Sequence, residues 1–129
     1  MCLAMGAGMI GLSALSSCAT IPAYETAIAG NKVSVPVSLF AQSSFQLVKP
    51  KNSYYNIGLK KESDGTYTAL LLKCTHADNQ LTATGNGYKC NLHGSAFDSE
   101  GQVTNGPAER PLKKYTTQII NDQVIIRLS

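Results

Sequence analysis

From residue 32 onward, the chain consists largely of short stretches in which apolar and polar side chains alternate. From Val33 to Leu39, valine and leucine occupy every second position, which is the period of a strand with one buried face. Pro36 lies within this stretch, and proline has no N–H to contribute to a sheet ladder. We therefore predict a strand over 33–39 at the edge of a sheet.

Further stretches rich in β-branched and aromatic residues predict five more strands. The polar pair Asn121-Asp122 separates the last two and predicts a tight hairpin. No stretch shows a helical period, so we predict an all-β domain of stacked antiparallel sheets or a small barrel. The predicted strands cover residues 45–48, 54–59, 67–72, 115–120 and 123–128.

The alternating pattern breaks down over residues 73–111, which are rich in Gly, Asn, Thr, Asp and Ser. Long stretches without strand or helix signals are uncommon in compact domains and are often functional loops. This segment contains both histidines and two of the four cysteines of the chain. We therefore expect it to form a loop subdomain that carries the functional site.

Size and charge exclude several classes of protein. A chain of 129 residues has room for one domain and not for a two-domain nucleotide enzyme. The net charge of +3 is weak and evenly spread, and Lys and Arg form no cluster larger than a pair. We therefore expect no nucleic-acid partner.

The first seventeen residues are apolar and uncharged, which is typical of the apolar part of a secretory signal. Signals usually begin with Lys or Arg, so we expect the true start to lie upstream of Met1. The sequence Leu15-Ser16-Ser17-Cys18 resembles a bacterial lipoprotein cleavage site. We predict that 1–17 is a signal peptide, that Cys18 is lipidated, and that 18–31 is a lipid-anchored tether to a domain over 32–129.

The alternative for this segment is an uncleaved helix that spans the membrane together with missing upstream residues. Both interpretations place the folded domain outside the cytoplasm. We therefore expect a protein of the bacterial cell envelope, anchored to a membrane and facing the periplasm or the exterior.

Two short motifs contain the candidate metal ligands. Cys74 and His76 are separated by one residue, Cys90 and His93 by two, and thirteen residues lie between the two motifs. One interpretation is a disulfide between the two cysteines, which an exported protein favours. A second is tetrahedral zinc, although zinc fingers usually group the cysteines together and the histidines together. The third is a [2Fe–2S] cluster with two cysteines on one iron and two histidines on the other.

The two motifs, Cys74-Thr75-His76 and Cys90-Asn91-Leu92-His93-Gly94-Ser95, resemble the two boxes of the Rieske iron–sulfur family. Phe97-Asp98 and the stretch from Asn105 to Leu112 match the family's aromatic position and its proline loop. The resemblance implies a Rieske-type fold with a cluster-binding subdomain at about 73–111. It also implies one [2Fe–2S] cluster held by Cys74, His76, Cys90 and His93, and a loop with Gly106 and Pro107 that shields it.

Departures from the family pattern concern the disulfide and the reduction potential. Rieske proteins of quinol-oxidising complexes carry a disulfide between the boxes, whereas Asn79 and Leu92 occupy those positions here. The resemblance gives Ser95 a hydrogen bond to a cluster sulfur. Phe97 lacks the hydroxyl of the tyrosine found in high-potential members. We therefore expect an intermediate potential within the range of about −150 to +300 mV for Rieske centres.

The resemblance implies one-electron transfer, with the histidines at the exposed edge of the cluster. The chain is too short to hold also the mononuclear-iron domain of a ring-hydroxylating oxygenase. We therefore expect a carrier or an oxidoreductase subunit whose partner is another redox protein, such as a cytochrome or a membrane oxidoreductase. The alternatives are the Rieske subunit of a quinol-oxidising, cytochrome bc-type complex and a zinc-stabilised binding lipoprotein.

Overall fold

The computed structural model describes residues 22–129, and their regular structure consists of short strands and one 3₁₀ helix. No α-helix occurs within this range, and none of its helices is long and apolar enough to cross a membrane. The all-β prediction is therefore confirmed. The predicted signal peptide and the lipidated Cys18 lie outside the described residues. The strands are β1 (Ala23–Thr26), β2 (Lys32–Pro36), β3 (Phe45–Pro50), β4 (Ile57–Lys61), β5 (Tyr67–Leu71), β6 (Thr82–Ala83), β7 (Gly87–Lys89), β8 (Ala96–Asp98), β9 (Val103–Asn105), β10 (Lys114–Tyr115), β11 (Thr117–Ile120) and β12 (Gln123–Arg127), and the 3₁₀ helix is Val37–Phe40.

Two sheets enclose the first hydrophobic core. A five-stranded sheet has the order β1-β3-β4-β5-β10, and a three-stranded sheet has the order β11-β12-β2. All pairs are antiparallel except β1 with β3. Side chains from both sheets meet in one cluster of fully buried residues, which includes Val35, Leu59 and Ile126. Alternation of buried and exposed positions along these strands is what the sequence pattern predicts.

The first predicted strand is correct in position but wrong in length. Pairing ends at Pro36, and Val37–Phe40 turns into the 3₁₀ helix, so the alternating side chains at Val37 and Leu39 are not in a strand. Pro36 does lie on an edge strand, as expected for a residue without an N–H. Periodicity alone could not show where the strand ends, because apolar and polar positions continue to alternate into the 3₁₀ helix.

The N-terminal boundary of the fold also differs from the prediction. β1 falls within the segment predicted to be a tether, yet it pairs in parallel with β3 from Ala23↔Leu47 to Thr26↔Pro50. Tyr24 packs against the first core. The ordered domain therefore begins before residue 32. The sequence did not indicate β1, because a four-residue strand with one aromatic anchor is too short to give a clear signal.

The C-terminal hairpin is confirmed, but its first strand is divided between two sheets. The predicted strand 115–120 splits at Thr116, with Tyr115 pairing with β5 and Thr117–Ile120 pairing with β12. Asn121 and Asp122 both have positive φ, at 50° and 62°, which is the backbone of a tight two-residue hairpin turn.

A third sheet lies inside the segment predicted to be loops. Strands β6, β7, β8 and β9 form an antiparallel sheet in chain order, so the expectation of a segment without strands is wrong. Each strand has only two or three residues, which is too short to show an alternating pattern. A second buried core lies here and contains both Cys74 and Cys90.

Candidate metal centre

The first candidate ligand loop runs from Cys74 to Asn79 between β5 and β6. It closes on itself, because the Cys74 N–H donates to the Asn79 carbonyl over 2.9 Å. At its base, Lys73 and Gln80 form an antiparallel bridge, and the Leu81 N–H donates to the Leu72 carbonyl over 3.0 Å. The loop is therefore a tight projection from the sheet, with Cys74 at its root.

The second candidate ligand loop runs from Cys90 to Ser95 between β7 and β8. The Cys90 N–H donates to the Ser95 carbonyl over 2.8 Å, and the Gly94 N–H donates to the Cys90 carbonyl over 3.2 Å. Gly94 has a φ of +83°, which a side chain would strain. This turn is closed in the same way as the first loop, with a cysteine at its start and a histidine near its tip.

A third loop, over residues 105–111, braces both ligand loops. The Asn105 side-chain amide donates to the Gly94 carbonyl over 2.9 Å. On the first loop, the Thr75 hydroxyl donates to the Arg110 carbonyl over 2.7 Å, and the Arg110 guanidinium donates to the Thr75 carbonyl over 3.0 Å. The third loop also contains Gly106 and Pro107, which were predicted to shield the cluster, and both are exposed.

Burial divides the four predicted ligands into two pairs. Cys74 and Cys90 are 2% and 1% exposed and belong to the second core, whereas His76 and His93 are exposed. The two imidazole rings lie edge to face with their centroids 5.3 Å apart. Both thiols are free, so the disulfide interpretation is not what the structure shows. Two sulfurs lie at the root of the site and two imidazoles lie at its surface.

The environment of Cys90 favours a thiolate. Burial raises the pKa of this thiol, but hydrogen bonds from the Leu92 N–H, the Asn79 amide, Cys74 and the His93 N–H outweigh burial and leave the pKa below its usual value. Thiolate is the form of cysteine that binds metals.

The predicted tuning residues are both buried next to the ligand loops. Ser95 is fully buried, and its hydroxyl oxygen accepts a hydrogen bond from the Ala108 N–H over 3.0 Å. Because a hydroxyl also has one hydrogen to donate, this contact leaves its O–H available for a sulfur. Phe97 is 2% exposed and packs in the second core.

The two positions at which the sequence departs from the family disulfide differ in environment. Leu92 is 57% exposed. Asn79 is partly buried, and its amide nitrogen donates to Cys90 Sγ over 3.5 Å. In the sequence, Asn79 was notable only as a position at which the family has a cysteine. The contacts of Thr75, Arg110 and Ala108 could not be predicted, because they join segments far apart in the chain.

The donor set fits a two-iron cluster. Each iron of a Rieske cluster takes two protein ligands, cysteines on one and histidines on the other. The structure places both thiols in one buried core and both imidazole rings beside each other at the surface. In residues 22–129, no three His, Cys, Asp or Glu side chains are grouped as one mononuclear ion requires.

Comparisons with known proteins identify the family of the chain. The family model of the Rieske [2Fe-2S] domain matches residues 34–116. The cytochrome b6-f complex iron-sulfur subunit 1 of Synechocystis is 28% identical over 124 residues, which cover 94% of this chain and 62% of that protein. The corresponding subunit of Chlorobaculum thiosulfatiphilum is 35% identical over 71 residues, which cover 48% of this chain and 35% of that protein. The chain thus spans less than two thirds of these relatives.

A solved structure of similar extent shows the same fold. The crystal structure of the cyanobacterial plasma membrane Rieske protein PetC3 from Synechocystis has a TM-score of 0.59 and 25% sequence identity, and the match covers 74% of this chain and 98% of that one. Because the family model also matches more than half of the chain, the protein belongs to the Rieske [2Fe–2S] domain family, whose domain binds a [2Fe–2S] cluster.

Proposed function

We propose that Cys74 and Cys90 hold the inner iron of the cluster and that His76 and His93 hold the outer one. The division of burial carries this assignment, because two thiols sealed in the second core contrast with two imidazoles on the surface. When bound, the cluster accepts and releases one electron. The exposed histidines then form the edge at which a partner protein docks and exchanges that electron.

The other residues of the site hold the ligands in place. The third loop ties Thr75 to Arg110 and Ser95 to Ala108, so both ligand loops are fixed to one segment. Ser95 lies beside the ligand turn and would donate its O–H to a sulfur. A rigid, desolvated sulfur environment limits the rearrangement that accompanies a change of charge.

The carrier acts, on this proposal, at a membrane outside the cytoplasm. The support is the apolar segment 1–17 and the lipoprotein-like sequence that ends at Cys18. Two of the similar proteins are named as subunits of a cytochrome b6-f complex, and a third is described as a plasma membrane Rieske protein. A multi-chain lipid at Cys18 would give stable anchoring, because each buried methylene contributes roughly 0.8 kcal/mol.

A second candidate is the Rieske subunit of a quinol-oxidising complex. The names of the curated relatives favour it, since they are subunits of cytochrome b6-f complexes. Asn79 and Leu92 in place of the inter-loop disulfide favour the free carrier. Purification from membranes of the native host in mild detergent distinguishes the two. A complex subunit should co-purify with a protein that contains b-type haem, and a free carrier should not.

Ligand replacement tests the assignment. His93→Ala should abolish the visible spectrum of the purified protein, since it removes one ligand of the outer iron. Asn91→Ala, an exposed neighbour on the same loop, should leave the spectrum intact. An unchanged spectrum in His93→Ala would refute the ligand role of His93.

Membrane fractionation tests the anchor separately. A Cys18→Ala variant should lose its acyl mass and move from the membrane fraction to the soluble fraction. If the wild type and the variant both stay with the membrane, and both have the mass of unmodified protein, the lipid anchor is contradicted and an apolar span takes its place.

A further inference from the structure

The backbone of Asn79 is fixed on both sides by hydrogen bonds of the first ligand loop. Its carbonyl accepts the 2.9 Å hydrogen bond from the Cys74 N–H. The next residue, Gln80, bridges to Lys73, and its side-chain oxygen accepts a hydrogen bond from the Asn56 N–H over 2.9 Å. These backbone contacts therefore fix the direction of the Asn79 Cα–Cβ bond independently of the contacts of its side chain.

The side chain of Asn79 reaches from the first ligand loop to the second. Its amide nitrogen donates to Cys90 Sγ over 3.5 Å and also to the Gln80 carbonyl over 3.2 Å. Asn79 and Cys90 are eleven positions apart in the chain and lie on different loops. One amide thus makes a non-covalent link between the two loops that ends on a candidate ligand atom.

The contact is sheltered from water. Cys90 is 1% exposed, and Asn79 is partly buried. Hydrogen bonds to charged groups are stronger than those between neutral groups, and a low local dielectric strengthens them further. The amide also acts on the ligand assigned to the inner iron, away from the histidines at the surface.

We propose that Asn79 is a positioning residue that aims an amide N–H at the Cys90 sulfur and shifts the cluster's redox equilibrium towards the reduced state. The reduced state carries one more negative charge, part of which resides on the sulfurs, so a donor stabilises it more than the oxidised state. This inference rests on the proposed role of Cys90 as a ligand.

The same contact holds the two loops together. In a site whose loops carry no disulfide, the Asn79 amide joins them at the root. A donor at this point raises the potential even though Phe97 supplies no hydroxyl. Asn79 therefore adds to the contribution of Ser95.

Midpoint potentials of matched variants of the holoprotein test the proposal. Asn79→Leu removes the amide at similar size, and Asn79→Asp keeps the shape but replaces the donor with an acceptor. Asn91→Leu is the control, because Asn91 precedes Leu92 on the second loop and its amide donates to the Thr82 hydroxyl over 3.3 Å. Each potential is measured by redox titration followed by visible circular dichroism, together with the melting temperature.

We expect Asn79→Leu to lose about tenfold in the reduction equilibrium, which for a one-electron couple is about 59 mV downward. Asn79→Asp should fall at least as far, and Asn91→Leu should match the wild type. A potential that is unchanged in Asn79→Leu, or that falls only in Asn79→Asp, would overturn the proposal even if the melting temperature drops. If Asn79→Leu holds no cluster, the smaller neutral variant Asn79→Ala takes its place, and a wild-type potential in Asn79→Ala overturns the proposal.

Failure of this inference is distinguishable from failure of the ligand assignment. If wild-type protein shows a Rieske-type spectrum that His93→Ala abolishes, and Asn79→Leu keeps the wild-type potential, only the role of Asn79 is wrong. If the wild-type spectrum survives replacement of Cys90 by Ala, the assignment itself fails.

Discussion

Replacing Ser95 with alanine tests the contact between the second ligand loop and the third loop. Ser95 is fully buried, and its hydroxyl oxygen accepts the hydrogen bond from the Ala108 N–H. Ala108 is itself only 4% exposed, so water cannot replace the lost acceptor. The substitution removes a single oxygen and leaves almost no cavity, so the cost arises from the unpaired N–H.

A buried donor left without an acceptor costs about 1–3 kcal/mol. For a domain of about this size, each kcal/mol lowers the melting temperature by roughly 4–8 °C. Taking about 2 kcal/mol as the central value, we expect Ser95→Ala to lower the melting temperature by roughly 8–16 °C. The potential should fall as well, because the variant also loses the O–H proposed to donate to a sulfur.

The assay is thermal unfolding of the oxidised holoprotein, followed by far-ultraviolet circular dichroism at one scan rate. Ser63→Ala is the control, because Ser63 is exposed in the turn between β4 and β5. It should melt within the experimental error of the wild type. A Ser95→Ala protein that melts with the control would show that Ala108 finds another acceptor and would refute the bracing role of Ser95.

Three further substitutions test other parts of the site. Leu72→Ala, in the second core and fully buried, should cost about 2–5 kcal/mol in urea denaturation, whereas exposed Leu92→Ala should cost little; equal midpoints would contradict the packing. Phe97→Tyr should raise the midpoint potential in redox titration if its hydroxyl reaches a sulfur, and a lower potential would argue against this. The hydrogen bond and charge of Lys60 hold the pKa of Glu100 below its usual value, so Glu100→Gln should cost under about 1 kcal/mol at pH 7. A carboxyl group whose pKa is lowered by folding stabilises the folded state at pH values above its unfolded pKa of 4.5. The stability difference between the wild type and Glu100→Gln should therefore vanish as the pH falls through the folded pKa, and a difference that grows in acid would contradict this.

The sequence predicted the strands of the main fold because they bury one face and leave the other in water. That alternation made β2 recognisable, whereas β3, β5 and β12 were recognisable from their β-branched and aromatic residues. It could not predict β1, whose pairing with β3 depends on a distant part of the chain. It also missed β6 to β9, since strands of two or three residues contain less than two periods of alternation.

The candidate ligands were recognisable because their residue types are scarce and closely spaced. Cys74 and Cys90 with the two histidines of the chain pointed to a metal centre, and the resemblance of their motifs to the Rieske boxes favoured it over a disulfide. The hydrogen bonds around them were not predictable, because serine, threonine and asparagine are common and their partners are remote in sequence. The bond from Ala108 to Ser95 spans thirteen positions, and that from Thr75 to Arg110 spans thirty-five.

Pulsed electron paramagnetic resonance of the reduced protein tests the proposed cluster and its histidine ligands directly, because it detects nitrogen nuclei bound to the paramagnetic centre. We expect a [2Fe–2S] signal coupled to two imidazole nitrogens, one from His76 and one from His93, and loss of that signal in His93→Ala. A [2Fe–2S] signal without nitrogen coupling, or purified protein that contains zinc in place of iron, would contradict it.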